Sequence, residues 1–141
     1  MREMSEAERR DFLLAGTRTA KLATVRPDGR PHVAPVWFLL DGEEVVFTTH
    51  ESTVKARNMR LDPRVSLCVD DEEPPYAFVL VEGRARLSAG DPDLLRWTTR
   101  IGGRYMGAGR AEEYGRRNAA PGELLVRVKP VWITARAGVA E

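Results

Sequence analysis

One stretch concentrates the groups that could do chemistry: Thr48-Thr49-His50-Glu51-Ser52-Thr53-Val54-Lys55-Ala56-Arg57-Asn58. A strand ends there in hydroxyls, and a helix is expected from Ser52 to Leu61, closed by Asp62-Pro63. Lys55 falls in its first turn, with Arg57 and Arg60 close behind. The partial positive charge of a helix N-terminus disfavours first-turn cations by about 0.3–1 kcal/mol. An anion bound at that end would relieve the conflict. Free N–H groups, the Ser52 hydroxyl and Lys55 would then form a phosphate site. The alternative is a solvated amphipathic helix capped by Ser52, with Glu51 neutralising Lys55.

Other constellations carry less. Trp37 could wall a flat heterocycle or pack in a core or subunit interface, whereas Phe47 reads as core. His32 and His50 have no third histidine and no cysteine at ligand spacing, so no metal site is expected. Asp70-Asp71-Glu72-Glu73 leads straight into Pro74-Pro75 and reads as a solvated loop. Gly102-Gly103-Arg104-Tyr105-Met106-Gly107-Ala108-Gly109 lacks the Lys-Ser/Thr of a phosphate-cradling loop and follows no strand. It is expected to be irregular and mobile, with Arg104 or Tyr105 reaching a ligand. Cys68, mid-strand, reads as a small core residue.

These groups need a frame. Ser5 and Glu8 have capping-box spacing, which starts a helix running to Ala15 before Gly16. Strands are expected over Thr19–Arg26, about His32–Leu40 and Val45–Thr49. The turns Pro27-Asp28-Gly29-Arg30 and Asp41-Gly42-Glu43 link them into a three-stranded meander. Arg64–Asp70 and Tyr76–Ser88 alternate as strands, a helix opens after Asp91-Pro92, a short one covers Glu112–Arg117, and Leu124–Ala135 is the last strand. The expected fold class is mainly β with α, a six-stranded antiparallel barrel. Its helices lie at the N-terminus, after the third strand and before the last. The second strand is apolar on both faces, so both need cover, and a partner subunit is the simplest source for one. Pro35 inside it removes a ladder donor and marks an edge, a bulge or a split.

Composition bounds the rest. The chain has 141 residues, 22 Lys plus Arg against 21 Asp plus Glu, and one cysteine. One domain spanning 1–141 is expected. The net charge of +1 gives no general pull toward nucleic acid or membranes. A single cysteine excludes an internal disulfide. No apolar run approaches the ~20 residues of a spanning helix and the N-terminus has no signal core, so a soluble cytoplasmic protein is expected.

Thr19-Ala20-Lys21-Leu22-Ala23-Thr24-Val25-Arg26-Pro27-Asp28-Gly29-Arg30-Pro31-His32-Val33-Ala34-Pro35-Val36-Trp37-Phe38 resembles the opening of the pyridoxamine 5′-phosphate oxidase-like split-barrel superfamily. Lys55-Ala56-Arg57-Asn58-Met59-Arg60-Leu61-Asp62-Pro63-Arg64-Val65 resembles the K-x-R-N…D-P-R segment of its deazaflavin-dependent reductase branch. The resemblance implies an FMN-binding-type split barrel that forms a homodimer, with flavin or deazaflavin in a groove at the subunit interface. By position, the backbone around Pro35, Val36 and Trp37 would face the ring. Thr48 and Thr49 would lie along the side chain, and Ser52, Lys55, Arg57 and Asn58 would hold the phosphate or the anionic tail.

Two cofactors compete. Coenzyme F420 has a longer anionic tail than FMN, and Lys55, Arg57, Arg60 and Arg64 suit it better. Trp132-Ile133-Thr134-Ala135-Arg136 has one arginine where the oxidase proper has paired arginines, which argues against vitamin B6 chemistry. The absence of histidine after His50 argues against haem handling. The implied activity is hydride transfer from reduced F420 to an unsaturated acceptor of the tetrapyrrole, quinone or enone class. Arg104, Tyr105 or a water would supply the second proton. The alternatives are an FMN-dependent oxidase or reductase and a non-catalytic flavin-binding protein.

Overall fold

The computed structural model describes residues 1–141. A two-residue strand, β1 (Arg2–Glu3), leads into α1 (Glu6–Leu14). The capping box closes as its spacing requires: the Glu8 amide donates to the Ser5 hydroxyl, and the Ser5 amide donates to the Glu8 carboxylate. Strands β2 (Ala20–Val25) and β3 (Pro31–Val36) form a hairpin across Pro27-Asp28-Gly29, with Gly29 at φ 86°. Strands β4 (Leu39–Asp41) and β5 (Glu44–His50) form a second hairpin. Then come α2 (Val54–Leu61), β6 (Arg64–Asp71), β7 (Ala77–Ala89), α3 (Leu94–Met106), a 3₁₀ turn at Ala108–Arg110, α4 (Ala111–Asn118) and β8 (Glu123–Ala137).

The structure has eight strands, not six, and no three-stranded meander. The expected strand His32–Leu40 is two strands, broken at Trp37-Phe38. β3 pairs with β2 and β4 with β5, yet the sheet order is β3-β2-β6-β7-β8-β5-β4. Strands consecutive in the chain therefore form opposite edges of one antiparallel sheet. Only Trp37 and Phe38 connect them. Three Cα–Cα steps of about 3.8 Å bridge at most about 11 Å. The sheet must curl until its edges nearly meet, and it stays split there. Pro35 sits where a missing donor is tolerated, on edge strand β3.

The curled sheet encloses one core. Val36 from one edge strand, Phe38 from the link and Leu22, Phe47, Leu67, Val79 and Val126 from the sheet join a single buried cluster, with Leu13 and Met59 from the helices. The alternation read in β6 is real: Val65, Leu67 and Val69 are buried. The doubly apolar second strand is covered unevenly. Its inner face supplies Val36 and Phe38 to the core. On the other face, Leu39 packs with Val46, Leu125 and Trp97 of α3, whereas Val33 is 65% exposed.

The glycine-rich stretch is not irregular: α3 continues through Gly102 and Gly103 to Met106. Glycine is there for packing. A Cβ on Gly102 would stand 2.7 Å from the Tyr114 Cβ of α4. No helix is long and apolar enough to cross a membrane.

Candidate functional site

The break between β3 and β4 is held by two side chains of α3. The Tyr105 hydroxyl accepts from the Phe38 amide (3.2 Å) and donates to the Arg18 carbonyl (2.8 Å). Arg104 donates to the carbonyls of Leu13 (2.7 Å), Phe38 (2.8 Å) and Gly16 (3.1 Å). The Tyr105 ring stacks on Trp37 at 5.0 Å and 4°. Burial pushes the Tyr105 hydroxyl up and the Arg104 guanidinium down from their ordinary values. Both side chains brace the backbone; neither lines the cleft described next. The expectation that they reach a ligand is corrected accordingly.

Beside this break opens a cleft of about 330 Å³. Pro35, Val36 and Trp37 form one wall, Thr48, Thr49 and His50 at the end of β5 another, and Thr53 and Lys55 at the start of α2 a third. Thr98 and Ile101 of α3, Asn118 of α4 and Glu123 of β8 complete it.

A chain of hydroxyls shapes the start of α2. Thr53, not Ser52, is the N-cap: its Oγ1 accepts from the Ala56 amide (3.2 Å). The same hydroxyl donates to the His50 carbonyl (2.9 Å), so the 2.8 Å contact with Thr49 must use the Thr49 proton. Ser52 is drawn elsewhere. Its amide donates to His50 Nδ1 (3.1 Å), and its hydroxyl lies 2.7 Å from the same nitrogen. Nδ1 is therefore an acceptor, which leaves Nε2–H to donate to the Pro121 carbonyl (3.1 Å). His50 thus ties the β5–α2 turn to the turn before β8.

Lys55 is half-buried and makes no ion pair. Glu123 faces the same cleft. Burial pushes its carboxyl up, although Thr48, His50 and Lys55 pull the other way. An unpaired half-buried cation, hydroxyls and the first turn of α2 form a donor set suited to a phosphate or carboxylate. Trp37 gives one wall an aromatic surface. The residues present therefore fit a phosphate-bearing flavin or deazaflavin.

Of the nine residues singled out from the sequence, Pro35, Val36, Trp37, Thr48, Thr49 and Lys55 line this cleft. Ser52, Arg57 and Asn58 do not. Ser52 bonds His50, while Arg57 and Asn58 line a separate cleft against the β2–β3 turn. Asn58 is buried, and its Nδ2 donates to Thr24 Oγ1 (3.0 Å). Arg64 is paired with Asp62 at 2.7 Å, holding that carboxyl down at about 2. Sequence reading missed Thr98, Ile101, Asn118 and Glu123 because they arrive from segments 40 or more residues away. The one local signal is the i, i+3 spacing of Thr98 and Ile101. No group of three or more His, Cys, Asp or Glu side chains clusters as metal ligands would. Cys68 is only partly buried, on the face of β6 opposite Val65, Leu67 and Val69, so it is not the core residue expected; desolvation still pushes its thiol up.

The family model for pyridoxamine 5′-phosphate oxidase matches residues 5–137, and the chain belongs to that family. A conserved hypothetical protein of Mycobacterium tuberculosis is similar at TM-score 0.85 and 30% identity, over 96% of this chain and 86% of that one. A protein described as an F420 reductase is similar at TM-score 0.68 and 29% identity, over 87% and 94%. A FAD-binding protein of Mesorhizobium loti shares the fold at TM-score 0.66 and 23% identity, over 95% and 93%.

Proposed function

We propose that this chain is an F420-dependent oxidoreductase acting on an unsaturated organic compound of the tetrapyrrole, quinone or enone class. The observation that carries the reading is the cleft at the β3–β4 break, where Lys55 is a half-buried cation that makes no ion pair. Likeness to the F420 reductase supports the deazaflavin over FMN. Bound there, the reduced deazaflavin would supply a hydride equivalent to the acceptor. Lys55 and the first turn of α2 would hold its phosphate. Trp37, fixed by its stack on Tyr105, would orient the ring beside Pro35 and Val36. Thr98 and Ile101 of α3 and Asn118 of α4 would narrow the cleft and exclude water. Glu123, the carboxyl facing the cleft with a raised pKa, is the protein group placed to hold a proton there.

The active form proposed is a homodimer with the cleft at its interface. Val33 and Val131 are exposed on the sheet's outer face, and Trp132 next to Val131 is 68% exposed. Such exposed apolar area suits a second copy.

Parallel titrations with F420 and FMN, read by tryptophan quenching, test the reading. F420 should bind more tightly than FMN, and Lys55→Ala should weaken it at least about tenfold, the loss of one charge-assisted contact. Preferential FMN binding moves the protein to the flavin enzymes. Absence of turnover with any acceptor despite tight binding leaves a cofactor-binding protein.

A further inference from the structure

The side of α2 that faces away from Lys55 forms a second cleft, of about 400 Å³, against the β2–β3 turn. Arg26, Arg30 and Arg57 line it, with Asp28 as its one carboxylate. Asp28 is already bound to Arg30 at 2.7 Å. Arg26 and Arg57 make no ion pair and no side-chain hydrogen bond in the protein, and the Arg26 Nε is shielded from solvent without a partner. A second orphan lies nearby. His32 stands opposite Thr24 in the β2–β3 register, and its Nδ1 is also buried and unpartnered. Asn58 closes the base by bonding Thr24.

Two of the three buried unpartnered side-chain nitrogens in the chain thus lie on the β2–β3 hairpin, and one of them, Arg26 Nε, belongs to a residue lining this cleft. A buried donor such as Arg26 Nε is costly without a partner, and two guanidiniums sharing a cleft repel each other. One bound anion would resolve both problems. Arginine's planar fork suits a carboxylate or phosphate, and Val54, Pro27 and Leu61 offer apolar contact to a small organic body. We propose that this cleft is a second anion site, distinct from the Lys55 cleft, that binds a carboxylate- or phosphate-bearing organic anion through Arg26 and Arg57. The anion comes either from a free small molecule or from the far end of a cofactor seated in the first cleft.

Calorimetric titration of the full chain with citrate and with glycerol 3-phosphate tests this. At least one probe should bind at low salt, weaken about tenfold in Arg57→Gln, and keep its affinity in Lys55→Ala. Arg57 is exposed, so Arg57→Gln should fold normally, and an unchanged melting temperature checks that. Arg26→Gln provides the second variant. Unchanged affinity in both arginine variants, or loss only in Lys55→Ala, overturns the proposal. F420 titration then separates the two sources. Weakening by Arg57→Gln identifies the cofactor's own tail, and an unchanged F420 affinity identifies a free anion. Failure of F420 to bind wild type would sink the proposed activity and leave the citrate result standing.

Discussion

Replacing Arg104 by Met tests whether this side chain is a brace or a ligand-binding group. Its guanidinium makes three close contacts, to carbonyls at 2.7, 2.8 and 3.1 Å, and a long fourth one to the Ala15 carbonyl at 3.5 Å. Each hydrogen bond to a charged group contributes about 1.5–3 kcal/mol. The three are not equal in consequence. Gly16 is exposed, so its carbonyl can turn to water, but Leu13 and Phe38 are buried and theirs cannot. Two stranded carbonyls, less the desolvation recovered when a half-buried guanidinium is removed, leave a net loss of about 3 kcal/mol. At about 3 °C per kcal/mol for a chain of this length, the melting temperature should fall by about 10 °C. Arg104→Lys should recover only part, since one ammonium cannot fork across three carbonyls. The assay is thermal unfolding by circular dichroism at low micromolar concentration. A fall of under about 3 °C, with a large loss of cofactor affinity, would mean that Arg104 serves a ligand and that the bracing argument is wrong.

Three further outcomes follow from the geometry. Thr53→Ala should cost about 1 kcal/mol, the loss of an N-cap, and lower the melting temperature by about 3 °C, whereas Ser52→Ala should cost less. Gly102→Ala should destabilise by about 1–2 kcal/mol in thermal melts despite alanine's better helix propensity. The new Cβ meets Tyr114 Cβ at 2.7 Å, and neither atom can rotate away. Burial raises the Glu123 carboxyl above its unfolded value of 4.5. Its neutral form is favoured in the fold, so stability is fully present below pH 4.5 and is lost as pH rises through the folded pKa. Glu123→Gln should therefore melt like wild type at pH 4 and above it at pH 8. No difference at pH 8 would count against burial as the cause.

Local rules made much of this fold readable. The Ser5–Glu8 spacing placed α1, alternation placed β6, and Pro35, read as marking an edge, a bulge or a split, lies on an edge strand. What they could not show was pairing at a distance. Whether His32–Leu40 is one strand or two depends on β2 pairing with β6 and β5 with β8, which sends β3 and β4 to opposite edges, and nothing within those nine residues encodes that. The choice between Ser52 and Thr53 as cap is one residue of register. It is decided by His50, which captures Ser52 while itself held by Pro121, about 70 positions on. Gly102 and Gly103 read as loop because the α4 surface that demands them is invisible from α3. The site followed the same division. Its walls from β3, β5 and the start of α2 were legible, but Thr98, Asn118 and Glu123 were not, since helix packing and the β5–β8 register deliver them.

The cleft and the barrel's split are one feature. The sheet's edges are joined through Trp37-Phe38, and the backbone that makes the join also walls the cleft. Perturbing the join must therefore move stability and binding together. Perturbing a cleft side chain that braces nothing must move binding alone. Arg104→Met and Lys55→Ala are the two limiting cases. The first should lower the melting temperature and weaken cofactor binding in parallel, because Phe38 and its neighbour Trp37 lose their anchor. The second should weaken binding while leaving the melting temperature unchanged or raised by about 1–3 °C. It removes a first-turn cation that costs about 0.3–1 kcal/mol against the helix dipole. If Lys55→Ala instead destabilises the protein by more than about 1 kcal/mol, the lysine has a partner within the fold, and its availability to an anion is refuted.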